Sequence, residues 1–436
     1  MFISALSITS MKFIRNLALS CALHGSLVHA AEHKFDFTAE KALPGFTKIS
    51  PDTLYGTGQN FGYLPGQALA SGQPVNFAVD VDEGNYQVTL RFGHAQHATC
   101  TTVKTESRRL VIENLTTTPG NQETRTFTVN VRKPAIRGGG GITKLNARET
   151  GPPLSPGWDD RLSFEFNGKN PGVVSMEIKP VKDAITIFLA GDSTVTDQVY
   201  EPYAGWGQML PRFMGSQVAV SNHAESGLAL RSFESQKRLA KILSMMKRGD
   251  YLFIQFGHND QKDRREGAGP FTTYKQALEK FVRAVDDQGG IPVLVTPMER
   301  RRFDRDGKPE ATLADYAKAV RQVGKEQKVS VIDLHAMSIK LYAALGPDAS
   351  TKAFVFYPAG TVPGMPQALK DNTHHNNFGG YELARCVVEG IRENVPKLAK
   401  HLAPDAGHFN PENPDSPEKF AVPMSPLQAT APPAGS

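Results

Sequence analysis

The chain has 436 residues, of which 40% are hydrophobic and 21% charged, and these values indicate a soluble globular protein of two or three domains. The formal net charge is only +5 and the sequence contains no basic stripe with interleaved aromatic residues, so nucleic acid is not an expected partner. The pI of 8.9 is compatible with an acidic polysaccharide.

Residues 1–30 have the pattern of a secretory leader. Lys12 and Arg15 precede a mostly small and apolar run, Leu17–Val28, and Val28-His29-Ala30 fits a signal-peptide cleavage site. The run is too short to span a bilayer, which disfavours a membrane anchor. We therefore expect a secreted or periplasmic protein cleaved near Ala30, with no membrane insertion. Its formal charge falls from +5 to +3, because the leader contains two cations and no acid.

The cysteines do not indicate a disulfide framework or a zinc site. Cys21 lies in the leader, where Ala18 occupies the place of the large aliphatic residue expected in a lipoprotein signal, so lipidation is a weaker alternative. Cys100 and Cys386 remain, far apart in sequence, and two buried thiols are favoured over one cross-domain bridge.

Residues 31–182 have the pattern of a β-sandwich. Several segments alternate apolar and polar residues with a period of two and are separated by turn signals. The clearest are Tyr86–Phe92, Phe127–Val131 and Leu162–Phe166. Strands without a convincing helix predict a sandwich or jelly roll. The Phe35-Asp36-Phe37 start and the Asn167-Gly168 turn resemble galactose-binding-like modules of secreted carbohydrate enzymes, and this resemblance implies either sugar binding or bracing of the neighbouring domain.

Residues 183–402 alternate short apolar runs with helical patterns, which predicts an α/β domain with a doubly wound parallel sheet. The apolar runs are Ile185–Ala190, Val218–Ser221, Tyr251–Phe256, Ile291–Thr296 and Val329–Leu334. The expected helices are Leu230–Met246, Tyr274–Asp287, Leu313–Gln327 and Gly380–Arg392. Residues 403–436 are rich in proline and small polar residues, and predict a tail that is disordered or lies along the surface.

Candidate functional residues follow these runs, at the carboxyl edge of the expected sheet, where ligands bind in such folds. They are Ser193 in Gly191-Asp192-Ser193, Gly227 in a loop after the second run, Asn259 in Gly257-His258-Asn259-Asp260, and Asp371 and His374 before the last helix. A serine hydroxyl needs a base to take its proton, and His374 is the candidate base, oriented by Asp371. The N–H groups of Ser193 and Gly227 and the amide of Asn259 would form the oxyanion hole.

Each candidate also has a structural alternative. Gly-Asp-Ser alone is a common turn, Asn259 could be a turn former, and His374 or Asp371 could belong only to the start of the last helix. Their joint placement at strand ends favours chemistry. We interpret Asp192 and Asp260 as structural, with their side chains bonding backbone amides in their own turns.

Other polar and aromatic residues near these motifs receive weaker interpretations. Tyr203 and Trp206 line the cleft or pack in the core. His375 lies beside His374, and we expect it to be a substrate contact or a surface group at most. His223 and His258 have no carboxylate pairing that supports a metal site, and hydrolysis by a serine, a histidine and an aspartate needs no metal or cofactor.

In order along the chain, Gly-Asp-Ser, a loop glycine, Gly-His-Asn-Asp and Asp-x-x-His resemble the four blocks of the SGNH (GDSL) hydrolases, whose fold is flavodoxin-like. Within that superfamily the chain most resembles the rhamnogalacturonan acetylesterase group, carbohydrate esterase family 12. The closer resemblance lies in Gly205–Gln208, Leu230–Phe233, Thr296-Pro297 with the following arginines, and Asp371-x-Thr373-His374. One departure is Gly227–Arg231, where the family more often has small hydroxyl residues.

The resemblance implies a secreted serine carbohydrate esterase that removes O-acetyl groups from plant cell-wall polysaccharide. Pectic rhamnogalacturonan is the first choice of substrate and acetylated xylan the second. A GDSL lipase or lysophospholipase is a rival enzyme. A rival of another class is a non-catalytic carbohydrate-binding protein whose β module binds the ligand. The sequence indicates no oligomeric state.

Overall fold

The computed structural model describes residues 32–38, 41–64, 74–151 and 157–434, and the predicted leader lies outside them. The first part of the described chain forms two five-stranded sheets. Its strands are β1 (His33–Asp36), β2 (Thr47–Lys48), β3 (Phe61–Tyr63), β4 (Val75–Asp80), β5 (Gly84–Gly93), β6 (Thr99–Thr105), β7 (Arg109–Thr117), β8 (Gln122–Val131), β9 (Arg161–Asn167) and β10 (Val173–Pro180).

The two sheets share one apolar core. Their orders are β2-β1-β10-β5-β8 and β3-β4-β9-β6-β7, and the neighbours pair antiparallel except β1 with β2. In β5, Val88 and Leu90 are buried while the alternate Gln87 and Thr89 are partly exposed, because successive side chains point to opposite faces of a strand. Val88 and Leu90 pack with Phe164 of the other sheet. The predicted two-sheet module is present, and a jelly-roll connectivity stays a prediction.

The second part contains a five-stranded parallel sheet and a separate antiparallel pair. The strands are β11 (Ile185–Gly191), β12 (Val218–Asn222), β13 (Tyr251–Gln255), β14 (Ile291–Val295), β15 (Ser330–Ile332), β16 (Phe354–Tyr357) and β17 (Leu369–His375). The parallel order is β12-β11-β13-β14-β15, the flavodoxin-like order with β11 as first strand. Ligands bind at the switch point of such sheets, which here lies beside the end of β11.

Helices cover both faces of this sheet. They are α1 (Trp206–Met209), α2 (Leu230–Ser235), α3 (Arg238–Met245), α4 (Lys275–Asp287), α5 (Ala314–Gln327), α6 (Leu334–Ala349), α7 (Asn377–Asn394) and α8 (Pro396–Ala399). Along β11, Leu189 packs on the α7 side and Phe188 on the α4 side. Helix α4 buries Leu278, Phe281 and Val285 at helical spacing. The predicted doubly wound α/β domain is confirmed.

Three elements differ from the sequence-based expectation. The helix expected over Leu230–Met246 is two helices, because Lys237 adopts a left-handed conformation with φ of 61° between them. Helix α6 was not expected, and the side chain of Asp333 caps its start. Asp371 and His374 stand on β17, not on a loop, because this polar segment pairs with β16.

The C-terminal segment lies against both parts of the molecule. Lys104 of β6 donates a hydrogen bond to Ser425 Oγ at 2.7 Å, and the Ser425 amide donates to Glu201 Oε1 at 2.8 Å. The Ala429 amide donates to the Glu201 carbonyl at 2.7 Å. Ser425 and Ala429 are buried. Of the two arrangements predicted for this tail, the described part, up to residue 434, adopts the one along the surface.

Cys100 and Cys386 are both free thiols, and Cys386 is buried. Within the ranges that the structure describes, no helix has the length and apolar character needed to cross a membrane.

Candidate active site

Ser193 stands in a tight turn directly after β11. The Asp192 carboxylate closes this turn by accepting the Thr194 amide at 3.0 Å and the Thr194 hydroxyl at 2.7 Å. The Val195 and Thr196 amides donate to the Asp192 carbonyl, both at 3.1 Å. Asp192 is therefore structural within its own turn, as predicted, and the turn fixes the Ser193 side chain at the carboxyl edge of the sheet.

The structure brings Ser193, His374 and Asp371 into one line of hydrogen bonds. His374 Nε2 lies 2.8 Å from Ser193 Oγ, and His374 Nδ1 lies 2.7 Å from Asp371 Oδ2. The Thr373 and His374 amides donate to Asp371 Oδ1 at 2.8 and 3.0 Å. Burial alone would raise the pKa of Asp371, but the hydrogen bond and charge of His374 and these two amides hold it below its usual value. Asp371 is thus kept ionised beside the imidazole.

The two other predicted site residues, Gly227 and Asn259, lie next to each other. Gly227 has φ of 81°, a left-handed conformation that glycine adopts without strain. Asn259 Nδ2 donates to the Leu228 carbonyl at 3.1 Å, and Lys262 Nζ donates to Asn259 Oδ1 at 3.3 Å, which fixes the orientation of the amide and leaves one of its hydrogens for another acceptor. The Ser193 and Gly227 amides donate to no acceptor among the described residues.

Next to these loops lie two acidic residues, the buried Asp192 and the half-buried Asp260, together with the buried His258. Asp260 accepts the Leu230 amide at 3.0 Å and so ties the loop after β13 to the loop after β12. Its burial raises its pKa to about 7. His258 Nδ1 lies 3.3 Å from Asp192 Oδ2, and both residues are buried. These groups tie the loops around the candidate site to one another.

Comparison of the sequence with known proteins shows the family to which the chain belongs. Residues 189–358 match the model of the GDSL-like lipase/acylhydrolase family. The chain is 43% identical over 229 residues to the rhamnogalacturonan acetylesterase RhgT of Bacillus subtilis, covering 52% of this chain and 98% of the relative. The chain belongs to the GDSL-like lipase/acylhydrolase family.

Other similar proteins differ in how much of the chain they cover. A rhamnogalacturonan acetylesterase of Emericella nidulans is 36% identical over 243 residues, covering 51% of this chain and 91% of the relative. The uncharacterized esterase YxiM of Bacillus subtilis is 27% identical over 395 residues, covering 84% of this chain and 92% of the relative. A crystal structure of the YxiM protein aligns with a TM-score of 0.45 and 23% identity, covering 83% of this chain and 98% of that chain.

The interpretation of His375 in this GDSL-family chain was wrong. His375 is buried, its Nε2 lies 2.9 Å from the Tyr342 hydroxyl, and its ring centroid lies 4.2 Å from that of Phe354. Burial lowers its pKa to about 3. Neighbouring residues of a strand point to opposite faces, so His374 faces Ser193 while His375 enters the core.

The aromatic residues after Ser193 also pack rather than line an open cleft. Trp206 is 1% exposed and donates through Nε1 to Gln255 Oε1 at 2.7 Å. Tyr203 is buried and places its ring edge-on to His374, with 6.0 Å between centroids. Tyr203 therefore supports the candidate base from the side.

Two basic residues that were not singled out from the sequence lie near the site. Lys262 contacts Asn259, as described above, and Arg300 Nη2 lies 3.5 Å from the His258 carbonyl. The signals were present in the sequence, because Lys262 follows Gly257–Asp260 and Arg300 begins the arginines after Thr296-Pro297. Across the described ranges, no group of three or more His, Cys, Asp or Glu residues is arranged to hold a metal ion.

Proposed function

We propose that this chain is an acetylesterase that removes O-acetyl groups from plant cell-wall polysaccharide, with pectic rhamnogalacturonan as its substrate. The carrying observation is the line of hydrogen bonds from Asp371 through His374 to Ser193, with heavy-atom distances of 2.7 and 2.8 Å. Relatives named rhamnogalacturonan acetylesterases, at 43% and 36% identity, support the acyl group and the polymer. The leader-like pattern of residues 12–30 supports export.

In the proposed reaction, the Ser193 hydroxyl gives its proton to His374 Nε2 while its oxygen attacks the acetyl carbonyl carbon. Asp371 accepts the Nδ1–H bond and stabilises the imidazolium. The carbonyl electron pair moves onto oxygen, where the Ser193 and Gly227 amides and the Asn259 side chain are the proposed donors. Collapse breaks the ester bond, and the sugar hydroxyl leaves with the proton from His374. Water then attacks the acetyl-serine by the same steps and releases acetate.

The charge near the site supports an acidic polymer over a neutral one. Lys262 and Arg300 lie beside the Asn259 loop, and Arg301 bonds Asn372 next to Asp371 at 2.9 Å. Uronate carboxylates of a pectic chain complement such cations, whereas xylan offers few. We therefore place rhamnogalacturonan before acetylxylan.

A substrate panel tests the proposal. Acetate release is measured from acetylated rhamnogalacturonan and acetylated xylan, and p-nitrophenyl acetate is compared with the octanoate ester. We expect the highest kcat/KM on rhamnogalacturonan and a strong preference for acetate over octanoate. Faster octanoate hydrolysis would make the chain a lipase. Binding of the polysaccharide without any ester hydrolysis would make it a carbohydrate-binding protein.

A further inference from the structure

The loop that contains Gly227 includes a buried carboxylate that the proposed reaction does not use. Glu225 is 3% exposed and lies two residues before Gly227. Its backbone ties the loop to the nucleophile strand, because the Glu225 amide donates to the Gly191 carbonyl at 3.2 Å. The Leu228 amide in turn donates to the Glu225 carbonyl at 3.3 Å, which closes the turn around Gly227.

The partner of this carboxylate comes from the N-terminal module. Arg148, in the connection between β8 and β9, donates from Nε to Glu225 Oε1 at 2.7 Å, and its terminal nitrogen contacts the same oxygen. Two charge-assisted contacts to one carboxylate oxygen anchor that oxygen more firmly than one contact does. The module therefore reaches directly into the loop of the candidate oxyanion hole.

The next residue of the same connection makes a second tie. Glu149 accepts two bonds from Arg238, at 2.8 and 2.6 Å, and Arg238 also donates to the His223 carbonyl at 3.2 Å. His223 is the first residue after β12, so the two ties hold the beginning and the middle of one loop. Two arginines thus face the carboxyl groups of Glu149 and Glu225, whose side chains are at most 5% exposed, and this pairing makes the burial of the carboxyl groups tolerable.

We propose that Arg148 is a positioning residue of the active site, which acts through Glu225 to orient the Gly227 amide toward the developing oxyanion. This inference rests on the proposed function. Preorganised donors stabilise a transition state only when their direction is fixed before the reaction. RhgT spans about half the length of this chain, which leaves no room for such a module, so this chain completes its site with a residue from outside the hydrolase part. By this inference the β module, for which bracing was one of two predicted roles, also affects catalysis through Arg148.

The test compares Arg148→Met with Arg125→Met in the full chain. Both substitutions remove the charge and keep the side-chain length, but Arg125 pairs with Glu123 on the exposed surface of the same module. With p-nitrophenyl acetate, we expect kcat of Arg148→Met to fall at least about tenfold with KM within twofold, less than the about 10²–10³-fold for loss of an oxyanion donor. Arg148→Lys should recover part of the loss, and Arg125→Met should match the wild type.

Two further readouts separate positioning from a merely structural role. A phenylboronic acid forms a tetrahedral adduct on a catalytic serine, and its affinity should fall in Arg148→Met by about the same factor as kcat. The double variant Arg148→Met/Glu225→Gln should be no more impaired than the worse single variant. Unchanged kcat, a change confined to KM, or additive losses would overturn the inference.

The controls also keep this inference distinct from the proposed function. If the wild type hydrolyses p-nitrophenyl acetate but no acetylated pectin, the proposed substrate fails while the Arg148 comparison still decides the inference. If Arg148→Met does not fold, Arg148→Lys and Glu225→Gln give the same comparison of kcat, KM and boronate affinity.

Discussion

His374 and His375 are neighbours with different surroundings, and the reason is strand geometry. On β17 the two side chains leave opposite faces, so one meets Ser193 and the other meets Tyr342 and Phe354. The resemblance of Asp371-x-x-His374 to the SGNH hydrolase pattern identified His374 from sequence, because the three-residue offset alone favours it only modestly over His375. The burial of His375 could not be predicted, because nothing local indicates that Leu369–His375 pairs with β16.

His375→Ala should destabilise the fold while sparing the reaction. It leaves a cavity beside Phe354 and a Tyr342 hydroxyl whose remaining contact is the weak acceptor Met298 Sδ at 3.9 Å, so we expect the free energy of unfolding to fall by about 2–4 kcal/mol. Urea unfolding measures this loss. The folded fraction should keep kcat within about tenfold, whereas His374→Ala should have no measurable kcat. A stable but inactive His375→Ala would show that the imidazole takes part in the reaction.

Asp260 should make stability depend on pH. Its folded pKa is raised to about 7 by burial, while the unfolded chain loses this proton near pH 4. Between these values the unfolded state binds fewer protons, so the free energy of unfolding falls as pH rises. The free energy of unfolding, measured with urea, should therefore differ between pH 4.5 and pH 7.5. In Asp260→Asn this difference should be smaller than in the wild type by about 1–3 kcal/mol. The partly exposed neighbour Asp263, whose pKa is lowered by Arg265, serves as control, and an undiminished difference in Asp260→Asn would contradict the assignment.

At the scale of elements, sequence patterns predicted most of the parallel sheet. They did not predict elements that form only through contacts with residues distant in sequence. Buried strands such as Ile185–Gly191 are continuous apolar runs bounded by glycine or polar turns, which makes them visible. Strand β17 is mostly polar and exists because β16 pairs with it. The tie between Arg148 and Glu225 joins residues 77 positions apart, and no local pattern marks it.

The C-terminal segment should contribute stability and contact the site. It places Ser425 against Lys104 and Glu201, and a Cβ added to Gly227 would lie 3.2 Å from the Ala434 Cβ. A chain that ends at residue 422 loses the hydrogen bonds of Ser425 to Lys104 and Glu201, while Lys104 keeps its ion pair with Glu165 and Glu201 keeps Arg108. We expect the free energy of unfolding to fall by about 2–5 kcal/mol, since hydrogen bonds to charged groups contribute about 1.5–3 kcal/mol each. An unchanged urea midpoint would show that the segment lies there without stabilising the fold.

At the scale of the whole molecule, two arginines of the N-terminal module contact the hydrolase part: Arg108, in the turn between β6 and β7, and Arg109, the first residue of β7. Arg109 Nε donates to Asp197 Oδ2 at 2.7 Å, with both side chains at most 4% exposed, and Arg108 pairs with Glu201 at 2.5 Å. The two acidic partners, Asp197 and Glu201, lie in the segment after Ser193. Because these charges are buried against each other, we expect the two parts to unfold as one cooperative unit.

Arg109→Met should therefore destabilise both parts together. It leaves the Asp197 carboxylate buried, with the neutral Asn222 amide as its side-chain donor among the described residues, and the expected loss is about 3–5 kcal/mol. Calorimetry of the wild type should show one transition, and the variant should show one transition at lower temperature. Two separate transitions in the wild type would show that the two parts unfold independently. Arg125→Met, which removes an exposed arginine, is the control.

The most direct test of the central claim is detection of the acyl-enzyme. The wild type is quenched with acid during turnover of an acetyl ester, digested, and mapped by mass spectrometry. The proposed mechanism predicts one acetyl group on the peptide that contains Ser193, and its absence from Ser193→Ala, whose kcat should fall at least about 10³-fold with unchanged folding. An acetyl group on another residue, or more than a tenth of wild-type kcat in Ser193→Ala, would contradict it.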